Sequence, residues 1–223
     1  MAKSTDIRVV GTQLFFLPVE TRVPLKFGPE TLTHVTCARA RLTVQLADGR
    51  TANGWGETPL SVQWVWPSAL PYESRHEALK EFCQHLAKAW SEFDAIGHPL
   101  ELGHDFQQTE LPRLLAEFNQ GQAADEPIPW LAALVCCSLF DIALHDALGQ
   151  ALGQATYDTY SAEYLSRDIG QFLQPAAGSN VQFDGRFPSE FLNADPPTTL
   201  PAWHLVGGLD PLDESELSGN EPD

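Results

Sequence analysis

The chain has 223 residues, 43% of them apolar, which is enough for a packed core and argues against wholesale disorder. Thirteen basic side chains stand against 30 acidic ones, a net charge of −17 that argues against nucleic acid or an anionic membrane as partner, since both are polyanions. Six of those acids lie in the last 15 residues with no Lys or Arg among them, so part of the charge belongs to a solvated tail.

The N-terminus, Met-Ala-Lys-Ser-Thr-Asp, leads into a strand-like run rather than a signal h-region. Residues 6–17 read as a first strand, and residues 18–30, marked by Pro18, Pro24, Gly28 and Pro29, as a loop. A second strand ends at Leu46 with clean alternation. Ala38, Ala40, Leu42, Val44 and Leu46 face one way, while Arg39, Arg41, Thr43 and Gln45 face the other, as in a half-buried antiparallel strand. Asp48-Gly49 signals a hairpin turn into a third strand, Thr51 to Glu57.

The pattern then becomes helical. Leu79, Phe82, Cys83, Leu86, Trp90 and Phe93 recur at helical spacing between Glu77 and Phe93. Thr109 is placed to cap a second helix carrying Leu111, Leu114, Leu115 and Phe118, with Pro112 in its first turn. A third, from about Pro129 to Gly149, is apolar on more than one side and reads as the central helix. A weaker fourth spans Tyr157 to Leu165. Residues 170–200, rich in Gly, Pro, Asn and Asp, read as an irregular linker. Residues 201–208 read as a strand that enters a new domain, and 209–223 as a disordered acidic tail. No stretch reaches membrane-spanning length without charge or Pro. Cys37, Cys83, Cys136 and Cys137 fit buried free thiols in a reducing cytoplasm.

The expected architecture is therefore α+β: a three-stranded antiparallel meander followed by a helical bundle (residues 1–169), then the linker and a lone strand. This order resembles the N-terminal capping domain of the enolase superfamily, in its mandelate racemase and muconate-lactonizing branch. Three segments carry the resemblance. Gly54-Trp55-Gly56-Glu57-Thr58-Pro59-Leu60 is similar to the family's Gly-x-Gly-Glu. The central helix, with Asp141 and Asp146 five apart and Ala143 between them, is similar to the family's Asp-bearing helix ending in Gly. Leu205-Val206-Gly207-Gly208 is similar to the Leu-Leu-Gly-Gly that opens the family's (β/α) barrel. One departure is clear: about 50 residues (154–204) separate the central helix from that last motif.

The resemblance implies a chain truncated after the first barrel strand, carrying the specificity-shaping half of an isomerase- or lyase-like enzyme without its catalytic barrel. The full-length parent would abstract a proton α to the carboxylate of a small substrate with Mg2+. The divalent cation is needed because an enediolate carries two negative charges on adjacent oxygens. The expected partners are that carboxylate, the missing barrel domain and a second copy of the chain. No catalytic residue, metal ligand or cofactor is expected in this chain itself. An alternative is a stand-alone, non-catalytic binding or oligomerisation module derived from such a cap.

The resemblance also implies that the 18–30 loop and the Glu57 turn lean over a barrel mouth, with Val23, Leu25, Lys26, Phe27, Glu57, Leu60 and Trp64 lining a substrate cap. The bland alternative makes the aromatics core and lets Glu57 cap a backbone turn. Asp141 and His145 stand four apart on one helix face, a spacing that suits two metal ligands, but no third ligand accompanies them at recognisable spacing. Asp141 and Asp146 read more simply as helix-to-strand or helix-to-loop anchors, and His145 as a satisfied interior or rim residue. Ser138 lacks a Gly-x-Ser-x-Gly elbow, so nucleophile chemistry has no support.

Overall fold

The computed structural model describes residues 3–27, 30–121, 126–203, 206, 211–217 and 219. Three strands, β1 (Ile7–Phe27), β2 (Glu30–Leu46) and β3 (Thr51–Pro59), form one antiparallel sheet in the order β1-β2-β3. The meander is as expected, and the buried residues of β2 include the alternating Ala38, Ala40, Leu42, Val44 and Leu46.

The 18–30 loop is corrected. β1 continues through it to Phe27 and pairs with β2 as a two-stranded ribbon, from Pro18 opposite Thr36 to Phe27 opposite Glu30. The prolines resemble breakers in the sequence. β1 is an edge strand, however, where a missing N–H need cost no ladder bond, and a register shift between Glu20 and Leu25 takes up Pro24.

Among the described residues five α-helices follow: α1 (Val62–Val65), α2 (Tyr72–Glu92), α3 (Pro99–Gln108), α4 (Glu110–Gly121) and α5 (Trp130–Leu152). Of the expected stripe of α2, Leu79, Phe82, Cys83, Leu86 and Trp90 are buried and Phe93 is partly buried just past the helix end; the helix starts five residues earlier than Glu77. It begins directly after Pro71, with Glu73 in its first turn, where a carboxylate meets the positive end of the helix dipole. α1 and α3 have no counterpart in the sequence reading. α3 is started by Pro99 and by His98, whose Nδ1 accepts the Leu100 N–H at 3.1 Å. Thr109 does not start the next helix. Its hydroxyl donates to the Asp105 carbonyl at 2.8 Å and closes α3 instead. The fourth helix expected over 157–165 is only a 3-10 turn, Thr156–Thr159, followed by a single further turn in which the Tyr164 and Leu165 N–H groups donate to the Ser161 carbonyl. Thr, Asp and Ser side chains there compete for backbone groups, which favours turns over helix.

α5 is the central element. By length and composition alone it is apolar enough to cross a membrane. Here its sides are covered by β2, β3, α1, α2, α3 and α4, as a core helix requires. Ala132, Ala133, Cys136, Leu139, Phe140, Ala143, Leu144 and Ala147 are fully buried. It ends at Gly153 in the left-handed conformation (φ 66°) that glycine adopts freely. Beside it, the Trp90 and Phe106 rings stack at 4.0 Å with Phe93 edge-on to both.

The 170–200 segment is irregular, as its composition suggests, yet part of it folds back on the helices. The Ile169 N–H donates to the Arg186 carbonyl at 2.8 Å, and the Ser189 N–H to the Tyr160 carbonyl at 3.0 Å. Among the described residues of 201–208, Pro201–Trp203 and Val206 form no strand; His204, Leu205, Gly207 and Gly208 lie outside the described residues. In the tail, a short 3-10 turn spans Glu214–Glu216; residues 209, 210, 218 and 220–223 lie outside the described set.

Candidate functional site

The register of the sheet decides where Glu57, Leu60, Trp64 and the residues of the 18–30 segment stand. β3 ends with Pro59 opposite Cys37, and the Leu60 N–H then donates to the Thr36 carbonyl at 2.9 Å. Beyond that point β1 and β2 continue alone as the ribbon. The ribbon, Glu57 and α1 with Trp64 are therefore gathered at one end of the sheet.

Within that group the residues differ. Leu25 lies on the ribbon opposite Leu32 and is exposed. Lys26 pairs in backbone register with Thr31, and Phe27 with Glu30; Val23 sits within the shifted stretch, and the side chains of these three fall outside the described set. Trp64 is 53% exposed, whereas Leu60 is fully buried and belongs to the core. Glu57 does not cap a turn. It sits on the outer face of β3, where it accepts the Arg39 Nε–H at 2.6 Å and completes an ion pair with the same guanidinium. Beside this pair Trp55, Gly56 and Ile142 line a shallow cavity of about 430 Å3.

Two motif segments form a single joint. Gly54 and Gly56 are buried against α5 so closely that an added Cβ would overlap the Ala143 carbonyl and Ala147 amide at one position, and the Leu139 carbonyl at the other. No larger residue fits there without separating strand from helix. Asp146 locks the joint by accepting the Trp55 N–H at 2.8 Å. The anchoring role suggested for both aspartates is thus observed for Asp146. Asp141 does something else. It is half-buried, has no hydrogen-bond partner among the described residues, and burial pushes its carboxyl up to about 6.

One turn along, His145 shares a 3.2 Å hydrogen bond with the Tyr160 hydroxyl through Nδ1, and burial holds its pKa down to about 4. His98 lies edge-on to both rings. Its Nδ1 accepts from Leu100, so in the neutral ring Nε2 carries the hydrogen and faces Thr159 Oγ1 at 3.1 Å. Burial first, and the neighbouring His145 second, hold it near 3. These are neutral interior imidazoles. Among the described residues no three His, Cys, Asp or Glu side chains converge to hold a metal. That donor set does not fit Mg2+, which takes several oxygen ligands in near-octahedral array.

The sequence reading missed Glu101. It is buried on α3 and accepts the Ser166 and Arg167 N–H groups, both at 2.7 Å, while Arg167 forms a two-pronged ion pair with Asp105. Together these acids pin the segment after α5 onto α3. An acid at each of two positions four apart on an unrecognised helix was the only signal available.

No protein-family model matches the chain, and no curated protein does. Solved structures do. An enolase from Bradyrhizobium, complexed with magnesium and mandelic acid, is 14% identical over 73% of this chain and 36% of its own, with a TM-score of 0.41. A dipeptide epimerase from Enterococcus faecalis, complexed with Mg and L-Leu-L-Tyr, is 12% identical over 70% and 35%, at 0.40. L-Talarate dehydratase from Polaromonas, complexed with Mg and L-glucarate, is 11% identical over 74% and 41%, also at 0.40. The likeness is one of fold, to part of each of these structures. The chain spans 35–41% of the length of these structures.

Proposed function

We propose that the chain is a capping, specificity-shaping domain of a mandelate racemase/muconate-lactonizing-like enzyme, and that alone it abstracts no proton from a carboxylate substrate. The observation that carries this reading is the gathering of the ribbon, Glu57 and Trp64 at one end of a rigid sheet that α5 backs. An exposed ribbon and an exposed indole on a braced scaffold suit a lid that meets a small acid held by another domain. Such a barrel domain would supply Mg2+ ligands and the acid/base side chains at its strand ends. Four free, buried cysteines support a reducing cytoplasm as its location.

The reading is tested by joining residues 1–200 to the part of the Bradyrhizobium structure that this chain does not match and measuring mandelate binding in the presence of Mg2+. Leu25→Ala and Trp64→Ala in that chimera are expected to raise the mandelate Kd several-fold. An unchanged Kd in both variants of a folded, mandelate-binding chimera would refute it.

A second reading, a self-assembling module, is favoured by the outer sheet face. There Phe15 and Trp55 are both exposed, 5.9 Å apart, with the Arg41 guanidinium over the indole. Light scattering on the purified chain separates the two: a stable dimer that Trp55→Glu dissociates supports assembly, and a monomer over the micromolar range excludes it.

A further inference from the structure

Asp141 opens onto a cavity of about 570 Å3 between α3, α5 and the returning segment 169–192. Its walls are apolar and largely aromatic: Phe172, Phe183 and Phe191, with Ile169, Leu173 and Leu192. α3 contributes His104, whose ring meets Phe172 edge-on at 5.0 Å. The carboxylate at the base of this cavity has no hydrogen-bond partner among the described residues. α3 also passes close over it, since a Cβ on Gly103 would overlap Asp141 Oδ1.

The nearby cations do not neutralise it. Arg167 is engaged by Asp105, and Arg186, stacked 4.6 Å from Phe191, is engaged by Glu190. A carboxylate withdrawn from water without a partner costs free energy that a bound counter-charge restores. Phe172 and Phe191 each already carry a guanidinium, of Arg167 and Arg186, so the rings are left to serve an apolar body. A cavity of this size takes a small organic molecule. The surrounding net charge of −17 favours a cation and disfavours an anion.

We propose that this cavity binds a small organic ammonium compound with an apolar, aryl-bearing body, Asp141 serving as counter-ion to the ammonium and Phe172, Phe183 and Phe191 enclosing the body. The site lies on α3, α5 and the stretch after them, and shares no lining residue with the cavity beside Glu57. It stands whether or not the capping role is correct.

Phenethylamine and 3-phenylpropionate, of similar shape and opposite charge, are titrated into the ¹⁵N-labelled full chain at neutral pH. The amine is expected to saturate with one-site shifts in the amides around Asp141, Phe172 and Phe191, and the acid to bind at least tenfold more weakly. Asp141→Asn is expected to lower amine affinity at least tenfold in a chain whose spectrum shows it folded. Phe191→Ala, at an exposed wall position, is a second variant that keeps the core intact and is expected to weaken the amine several-fold. Equal binding of acid and amine, no saturation by 10 mM amine, or unchanged affinity in folded Asp141→Asn overturns the proposal. Shifts of the same amides with protein concentration but not with amine mean that a second copy covers the cavity, and also overturn it.

Discussion

His98, His145 and Asp141 set opposite demands on pH. The two histidines have folded-state pKa values near 3 and 4, below the ordinary 6.5, so the unfolded chain binds more protons as pH falls below 6.5. Their neutral-form contribution to stability is complete above about 6.5 and is lost as pH falls toward 4 and then 3. Asp141 runs the other way. Its folded value of about 6 exceeds 3.8, so the folded chain takes up the extra proton and recovers stability between about 6 and 4. Between pH 7 and 5 the histidine loss prevails by roughly 2 kcal/mol net, since a tenfold difference in proton affinity is worth about 1.4 kcal/mol. Urea unfolding at the two pH values checks this; equal midpoints would contradict the assignment of two buried neutral imidazoles. For the same reason Asp141→Asn is expected to raise stability at pH 7.5 by about 1–2 kcal/mol, and to lose that advantage near pH 4, where wild-type Asp141 is itself protonated. Thermal melts of both proteins at both pH values test it.

At the scale of elements, the joint between β3 and α5 is the most constrained feature. Gly56→Ala is expected to cost about 3 kcal/mol or to prevent folding, because backbone rather than a flexible side chain occupies the space. Asp146→Asn is expected to cost less, about 1–2 kcal/mol, since an amide oxygen still accepts the Trp55 N–H. Chemical denaturation of the two variants gives the comparison, and a Gly56→Ala variant as stable as wild type contradicts the joint. What the sequence revealed follows the same physics. The alternation of β2 and the apolar breadth of α5 were legible because burial there is periodic. α3 was not, since its first residue is a proline and its cap a histidine rather than Ser, Thr, Asp or Asn. The ribbon was hidden by prolines that an edge strand tolerates. At the candidate site, the Gly-Trp-Gly-Glu motif was visible, but its glycines serve packing and its Glu57 an ion pair, neither of which local spacing encodes. Leu60 stood in the same motif and is core. The Asp141 cavity was illegible because half its wall comes from a segment with no periodicity at all.

At the scale of the whole molecule, one rigid layer of helices supports one sheet, and the exposed ribbon and Trp64 are carried at the sheet's end. That arrangement suits recognition. Proton abstraction α to a carboxylate needs a positioned base and charge stabilisation at the forming enediolate. His98 and His145 are withdrawn from solvent and hydrogen-bonded, and Glu57 is bound to Arg39. The most direct test is α-proton exchange in D2O, followed by ¹H NMR, with the purified chain, Mg2+ and each of mandelate, L-Leu-L-Tyr and L-glucarate. A capping domain predicts exchange no faster than in buffer with Mg2+ alone for all three acids. Mg2+-dependent exchange of any one of them by the chain by itself would contradict the account.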